Sequence, residues 1–75
     1  DNLVEHNNSL LSKLKPLVNN KRQWDAFNNY LDWLILQQQA NLEQNIDMVH
    51  IHKAQGAIHV LRKLKQLREE VNADS

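Results

Sequence analysis

The sequence has no cysteine, and it contains only one glycine and one proline in 75 residues. Without cysteine, the chain can form neither a disulfide framework nor a thiolate metal site. Strand-and-turn architectures need many turn residues, so the scarcity of glycine and proline argues against them. We therefore predict a single helical domain over residues 1–75, all-α and with few turns.

Two further features that the sequence lacks limit the functions it can have. No apolar run approaches the roughly 20 residues of a membrane-spanning helix, and no basic-then-apolar signal segment opens the chain. The nine basic and nine acidic residues cancel, so net charge gives no argument for nucleic acid or an anionic membrane. We expect a cytoplasmic protein that does not bind membranes.

The length of the chain makes a partner expected before any motif is considered. A chain of this size buries only about 60% of its extended surface. Small domains without disulfides usually rely on well-packed helices or on oligomerisation. We expect a protein partner, either further copies of the chain or a larger protein assembly.

The sequence is organised around one amphipathic stretch, which predicts a first long helix over residues 20–45. Asn20, followed three residues later by glutamine, matches the capping box of a helix N-terminus. Apolar side chains then recur at helical spacing along one side of the helix. This stripe predicts a core that includes Trp24, Phe27 and Leu31.

A second long helix is predicted over residues 47–72, with Asp47 as its N-cap. A short connection between two long helices implies an antiparallel hairpin. Trp24 should then meet residues 64–71 near the end of the second helix. Gly56 lies within this helix at a cost of roughly 1 kcal/mol relative to alanine, so we expect close packing there as its reason.

The N-terminal arm, residues 3–18, carries several leucines at helical spacing. Pro16 disfavours helical geometry at the residue before it and removes one backbone donor. We expect a helix to about Leu14, then a kink or a one-turn continuation from Pro16. The arm either lies as a lid across the ends of the two long helices or orders only against a partner.

The opposite side of the first long helix is the most informative feature for function. A surface helix of a monomer would place Glu and Lys there, yet this side is mostly apolar and uncharged. Contiguous exposed aromatics usually mark an interaction site, although the N-terminal segment or a third helix could also cover them. The predicted partner-binding residues are Tyr30, Trp33, Leu36, Gln37 and Ala40.

No constellation of residues indicates catalysis or a cofactor. His50 and His52 are two apart, so they point away from each other on a helix and cannot chelate one ion. His52 and His59 are about 10 Å apart by helical rise, and His6 lies far away in sequence. His50 is nearer the core side, where partial burial is expected. We predict no metal site, no cofactor and no enzymatic activity, so a metal-dependent enzyme ranks last.

Nucleic-acid binding is the alternative function. The only basic cluster consists of Arg62, Lys63, Lys65 and Arg68. Its members project in several directions, and a helix C-terminus favours cations whatever the function. Glu69 and Glu70 follow immediately. Nucleic acid is therefore the less favoured partner.

The order of motifs resembles small helical proteins encoded in tailed-bacteriophage genomes, often beside virion-assembly genes. The resemblance covers roughly residues 10–70 and rests on a leucine-rich lead-in, Trp24-x-x-Phe27-x-x-Tyr30-Leu31, Gln55-Gly56-Ala57-Ile58, and Leu61, Leu64 and Leu67. It implies a virion or assembly accessory role without catalysis and transfers no active site. The Asn-rich segments and the kink at Pro16 depart from the pattern. The combined expectation is an antiparallel two-helix hairpin with a short N-terminal helical arm that acts through protein–protein contact.

Overall fold

The computed structural model describes the backbone of residues 2–44 and 47–73 and the side chains of residues 7–44 and 47–73. Within these residues the chain forms helices and no strand, which confirms the all-α prediction. The helices are α1 (Asn2–Ser12), α2 (Lys15–Val18), α3 (Lys21–Gln44), α4 (Met48–Lys65) and α5 (Leu67–Asn72). Residues 45 and 46, at the predicted end of the first long helix, lie outside the described residues. No helix in the described ranges combines the length and apolar character that crossing a bilayer requires.

The two long helices, α3 and α4, pack side by side as the predicted hairpin. Asp32, in the first half of α3, forms an ion pair with Lys65 at the end of α4. Gln38, further along α3, lies beside His50 near the start of α4. Because positions later on α3 face positions earlier on α4, the two helices are antiparallel.

Side-chain caps begin both long helices. Oδ1 of Asn20 accepts a hydrogen bond from the backbone N–H of Gln23 at 3.0 Å. Oδ1 of Asp47 accepts one from the backbone N–H of Val49 at 3.1 Å. Each bond satisfies a donor that the helix itself leaves unpaired, which stabilises a helix by about 1 kcal/mol. The predicted capping roles of Asn20 and Asp47 are confirmed.

The second long helix, predicted over residues 47–72, is interrupted at Gln66. The Gln66 N–H bonds to the carbonyl of Lys63 at 3.1 Å, which tightens the last turn of α4. On an uninterrupted helix Val71 would point about 120° away from the buried stripe of α4, at 100° per residue. The break reorients α5, and Val71 becomes part of the core with only 3% of its surface exposed.

The N-terminal arm closes one end of the hairpin. Val18 of α2, Trp24 of α3 and Val71 of α5 form a buried cluster. Around this cluster pack Leu11, Leu14, Phe27 and Leu67. The side-chain amides of Asn19 and Asn72 donate to each other in both directions, at 3.1 and 2.9 Å. The predicted lid and the contact of Trp24 with the end of the second helix are confirmed.

The hairpin and arm form a thin, open molecule. Its Cα atoms span 44 × 34 × 13 Å, with a radius of gyration of 15.3 Å. A compact chain of this length would have a radius near 11 Å. Packed helices lie about 8–10 Å apart, so a thickness of 13 Å leaves no room for neighbours on both broad sides of a helix. Much of the helical surface therefore remains open.

Candidate protein-binding surface

The side of α3 that faces away from α4 carries an exposed apolar surface. We call this surface the outer face, and its residues are Ala26, Tyr30, Trp33, Leu36, Gln37 and Ala40, all exposed. They lie roughly 140–260° around the helix from the buried Leu31. Tyr30 is 56%, Trp33 52% and Leu36 63% exposed. Cover by the N-terminal segment, the alternative prediction, is wrong for the described residues because that segment packs at the end of the hairpin.

Two aromatic pairs with the same three-residue spacing lie on different sides of α3. Trp24 and Phe27 have ring centroids 5.8 Å apart and belong to the core at the arm. Tyr30 and Trp33 have ring centroids 5.9 Å apart and planes 22° apart, yet both are open to solvent. Because stacking already restricts the exposed rings, they lose less side-chain freedom when a partner covers them. The Tyr30–Trp33 pair is a preformed apolar platform.

The charged residues of α3 leave the outer face free of charge. Lys21 and Asp25 pair with each other across one turn at 2.9 Å, and Asp32 pairs with α4. Arg22 and Glu43 lie at opposite ends of the outer face. Among the described residues, neither has an ion-pair partner. The outer face is thus an apolar stretch with a cation at one end and an anion at the other, and neither charge forms an ion pair with another described residue.

The spacing along the outer face alternates between four and three residues. The positions that follow this spacing are Ala26, Tyr30, Trp33, Gln37, Ala40 and Gln44. Alternation of this kind is the heptad spacing of helices that pack along their length. This signal is present in the sequence, but the predicted binding residues were chosen by their apolar character and their place opposite the core stripe, not by this spacing.

A second exposed apolar surface, on α4, was not predicted. Met48 is 60%, Val49 58% and Val60 55% exposed. Val49 and Val60 lie on the same side of the helix, about three turns apart. Lys53 and Lys63 lie beside them, and no aromatic residue belongs to this surface. It is therefore less continuous than the outer face of α3.

The expectation of close packing at Gly56 is wrong. Gly56 is exposed, and a Cβ atom added there would meet no atom within 4 Å. Its place on α4 is opposite the stripe that packs against α3. The prediction rested on the cost of glycine within a helix and did not take into account the side of α4 on which Gly56 lies.

The four basic residues of the nucleic-acid alternative do not share one surface. They are Arg62, Lys63, Lys65 and Arg68. Lys65 is engaged by Asp32, and its side chain is only 33% exposed. Lys63 lines the same surface depression as Glu69 and Glu70. Arg62 lies along the groove between α3 and α4, whereas Arg68 is on α5, beyond the break. Within the described residues, one of the four charges forms an ion pair, and a second shares its surroundings with two carboxylates.

The predicted partial burial of His50 is wrong. Its side chain is 62% exposed, and its Nδ1 lies 2.7 Å from Oδ2 of Asp47. One oxygen of Asp47 caps α4 while the other holds the imidazole ring at the helix terminus, so the ring does not reach the core. No group of three or more histidine, aspartate or glutamate side chains gathers around a possible metal position in the described part of the chain. The side chain of His6 lies outside the described residues.

Comparison with protein families, with curated proteins and with solved structures found no match. The function is therefore inferred from the positions and exposure of the described residues. Within the described side chains, no buried polar atom lacks a hydrogen-bond partner. The outer face of α3, with its stacked aromatic pair, is the surface with the strongest functional signal.

Proposed function

We propose that this chain is a non-catalytic assembly module that binds protein, further copies of itself in particular, through the outer face of α3. The contact residues are Tyr30, Trp33, Leu36, Gln37 and Ala40. The observation that carries the proposal is the stacked Tyr30–Trp33 pair, with each ring more than half exposed. Contiguous exposed apolar patches mark interaction sites, and tryptophan and tyrosine most often dominate the energy of an interface.

The amount of open surface supports this proposal. The chain exposes 5954 Å², whereas a compact monomer of its mass would expose roughly 4,800 Å². The excess of about 1,200 Å² exceeds the roughly 800 Å² that each partner buries in a standard protein interface. One partner of ordinary size would therefore bring the chain to the burial expected of a folded protein.

The resemblance to small helical proteins of tailed bacteriophages gives the proposal a biological setting. It implies a virion or assembly accessory role, in which the chain contributes contacts and no chemistry. An assembly component needs a surface that is apolar, rigid and repeated in every copy. The outer face meets the first two requirements through its composition and its position on a 24-residue helix.

The proposal is tested by the mass of the purified protein in light scattering, compared with the Trp33→Ala variant. We expect the wild type to exceed the 8.8 kDa of one chain, with a mass that rises with concentration. Truncation of a central aromatic residue costs about 2 kcal/mol or more of binding energy, so the variant should associate at least about 30-fold more weakly.

Val60→Ala is the matched control, since Val60 is 55% exposed on the other long helix. It should leave association unchanged. A wild type that remains a monomer at every concentration contradicts self-association. If the wild type and the Trp33→Ala variant associate equally, the contact lies on another surface and the proposed role of the outer face is wrong.

A further inference from the structure

We infer that two copies of this chain pack their α3 helices antiparallel about a two-fold axis, with Arg22 of each copy opposite Glu43 of the other. This inference rests on the proposed function and specifies its partner and geometry. It starts from the heptad spacing of the outer face, because two helices with such a seam pack along their length with their side chains interleaved.

Two charges of α3 that have no ion-pair partner among the described residues favour one direction of packing. Arg22 and Glu43 are 21 residues apart, which is three heptads. When two helices supercoil around each other, residues a whole number of heptads apart occupy equivalent positions beside the seam. In a parallel pair, each would lie near its own counterpart, at the same end of the seam. If the seam positions of a heptad are lettered a and d, Arg22 and Glu43 both occupy position g, directly before a. In an antiparallel pair the g positions of the two helices face each other, so Arg22 of one copy meets Glu43 of the other. Opposite charges at such flanking positions set the orientation of helix pairs.

The helix dipoles favour the same direction. Each helix end carries about half an elementary charge, positive at the N-terminus and negative at the C-terminus. Antiparallel α3 helices place unlike ends together, whereas parallel helices place like ends together. The dipoles and the two side-chain charges therefore favour one arrangement.

The register that joins Arg22 to Glu43 also places the aromatic platform at the two-fold axis. In this register Tyr30 of one copy lies opposite Trp33 of the other, and the reverse contact is its symmetry equivalent. Ala26 faces Gln37, so small side chains lie opposite larger ones away from the axis. The bulkiest and most apolar part of the seam becomes its centre, where energetically dominant residues of interfaces cluster.

The extent of the contact fits the open surface of the chain. From Arg22 to Glu43 the seam is about 32 Å long at 1.5 Å per residue. The surface in excess of a compact chain, about 1,200 Å², is enough for the roughly 800 Å² that each copy would contribute. The two α4 helices remain on the far sides of the paired α3 helices, so the hairpins do not have to open.

A charge-exchange series tests the arrangement through dimer dissociation constants measured by sedimentation equilibrium. Arg22→Glu and Glu43→Arg each replace two symmetric attractions by two repulsions, and each should weaken the dimer roughly tenfold. The double variant, which restores opposite charges in exchanged places, should return close to the wild-type constant. Salt should reduce the effect of the single variants, since the pairs are exposed.

Lys21→Glu is the matched control. It makes the same change of charge one residue earlier, but Lys21 is paired with Asp25 and points away from the seam. Its dissociation constant should equal that of the wild type. If Trp33→Ala disrupts the dimer while the charge series has no effect, the antiparallel arrangement is overturned and the proposed binding face stands. If the wild type does not dimerise, self-association fails together with this inference.

A distance measurement provides a second test that does not depend on affinity. The chain has no cysteine, so a spin label attached to a Gln44→Cys variant reports one position on each copy. Antiparallel packing places the two labels about 40 Å apart, whereas parallel packing places them about 10 Å apart. A short distance in dimers that still require Trp33 would overturn the antiparallel arrangement.

Discussion

Substitution of Gly56 by alanine should stabilise this protein. Gly56 lies in the interior of α4, where glycine is less favourable than alanine because its unfolded backbone has more freedom to lose. The added methyl group would meet no atom within 4 Å, so no steric penalty opposes the gain. The full difference in helix propensity, about 0.8–1.0 kcal/mol, should therefore appear in the free energy of unfolding.

The expected change is large enough to measure by thermal or urea denaturation followed by circular dichroism. For a chain of this size, 1 kcal/mol corresponds to an increase in Tm of about 4–8 °C. Wild type and variant must be compared at one protein concentration, because association with further copies also stabilises the folded state. In urea, the midpoint should rise while the slope of the transition stays the same.

Gln55→Ala is the control, since Gln55 is the exposed neighbour of Gly56 and glutamine has nearly the helix propensity of alanine. It should change the free energy of unfolding by less than about 0.5 kcal/mol. A Gly56→Ala protein that is no more stable than the wild type would contradict the expectation that helix propensity alone sets the effect at this open site. It would mean that another chain approaches α4 closely at Gly56, and that the assembly uses this surface.

Two further substitutions test the core and the helix cap. Val71→Ala should destabilise the fold by about 2 kcal/mol in urea denaturation, because it removes buried methyl groups from the cluster with Val18 and Trp24. Val60→Ala, at an exposed site, should change stability by less than about 0.5 kcal/mol. Equal effects of the two substitutions would contradict the described core. Asp47→Ala should lower the free energy of unfolding by about 1 kcal/mol in the same assay. Asp47→Asn should retain most of the stability, since asparagine also caps helices. Equal losses of stability in the two variants would show that the cap bond to Val49 does not contribute.

The elements that could be predicted from the sequence are those set by local chemistry. The near absence of glycine and proline excluded strands with turns, and apolar spacing identified Trp24 and Leu31 as core residues. Asn20 and Asp47 were recognisable as caps because their short side chains reach the free backbone donors of the next turn. The hairpin followed from the short connection between two long helices.

The remaining features depend on contacts between segments distant in sequence. No glycine or proline marks the break at Gln66, which is required by the burial of Val71 against the arm. His50 was expected to be partly buried, but the nearby carboxylate of Asp47 holds its ring in solvent. The exposure of the outer face could be known only once the arm was seen at the end of the hairpin, so the sequence left internal cover and external contact as alternatives.

Acrylamide quenching of tryptophan fluorescence, measured as a function of protein concentration, shows whether a second copy covers the outer face of α3. Trp24 is 8% and Trp33 52% exposed in the single chain, so Trp33 accounts for most of the quenching. We predict that quenching decreases as concentration rises and the particle mass doubles, because Trp33 becomes covered. If the mass doubles while quenching stays constant, the copies associate through another surface and the proposed role of the outer face is wrong.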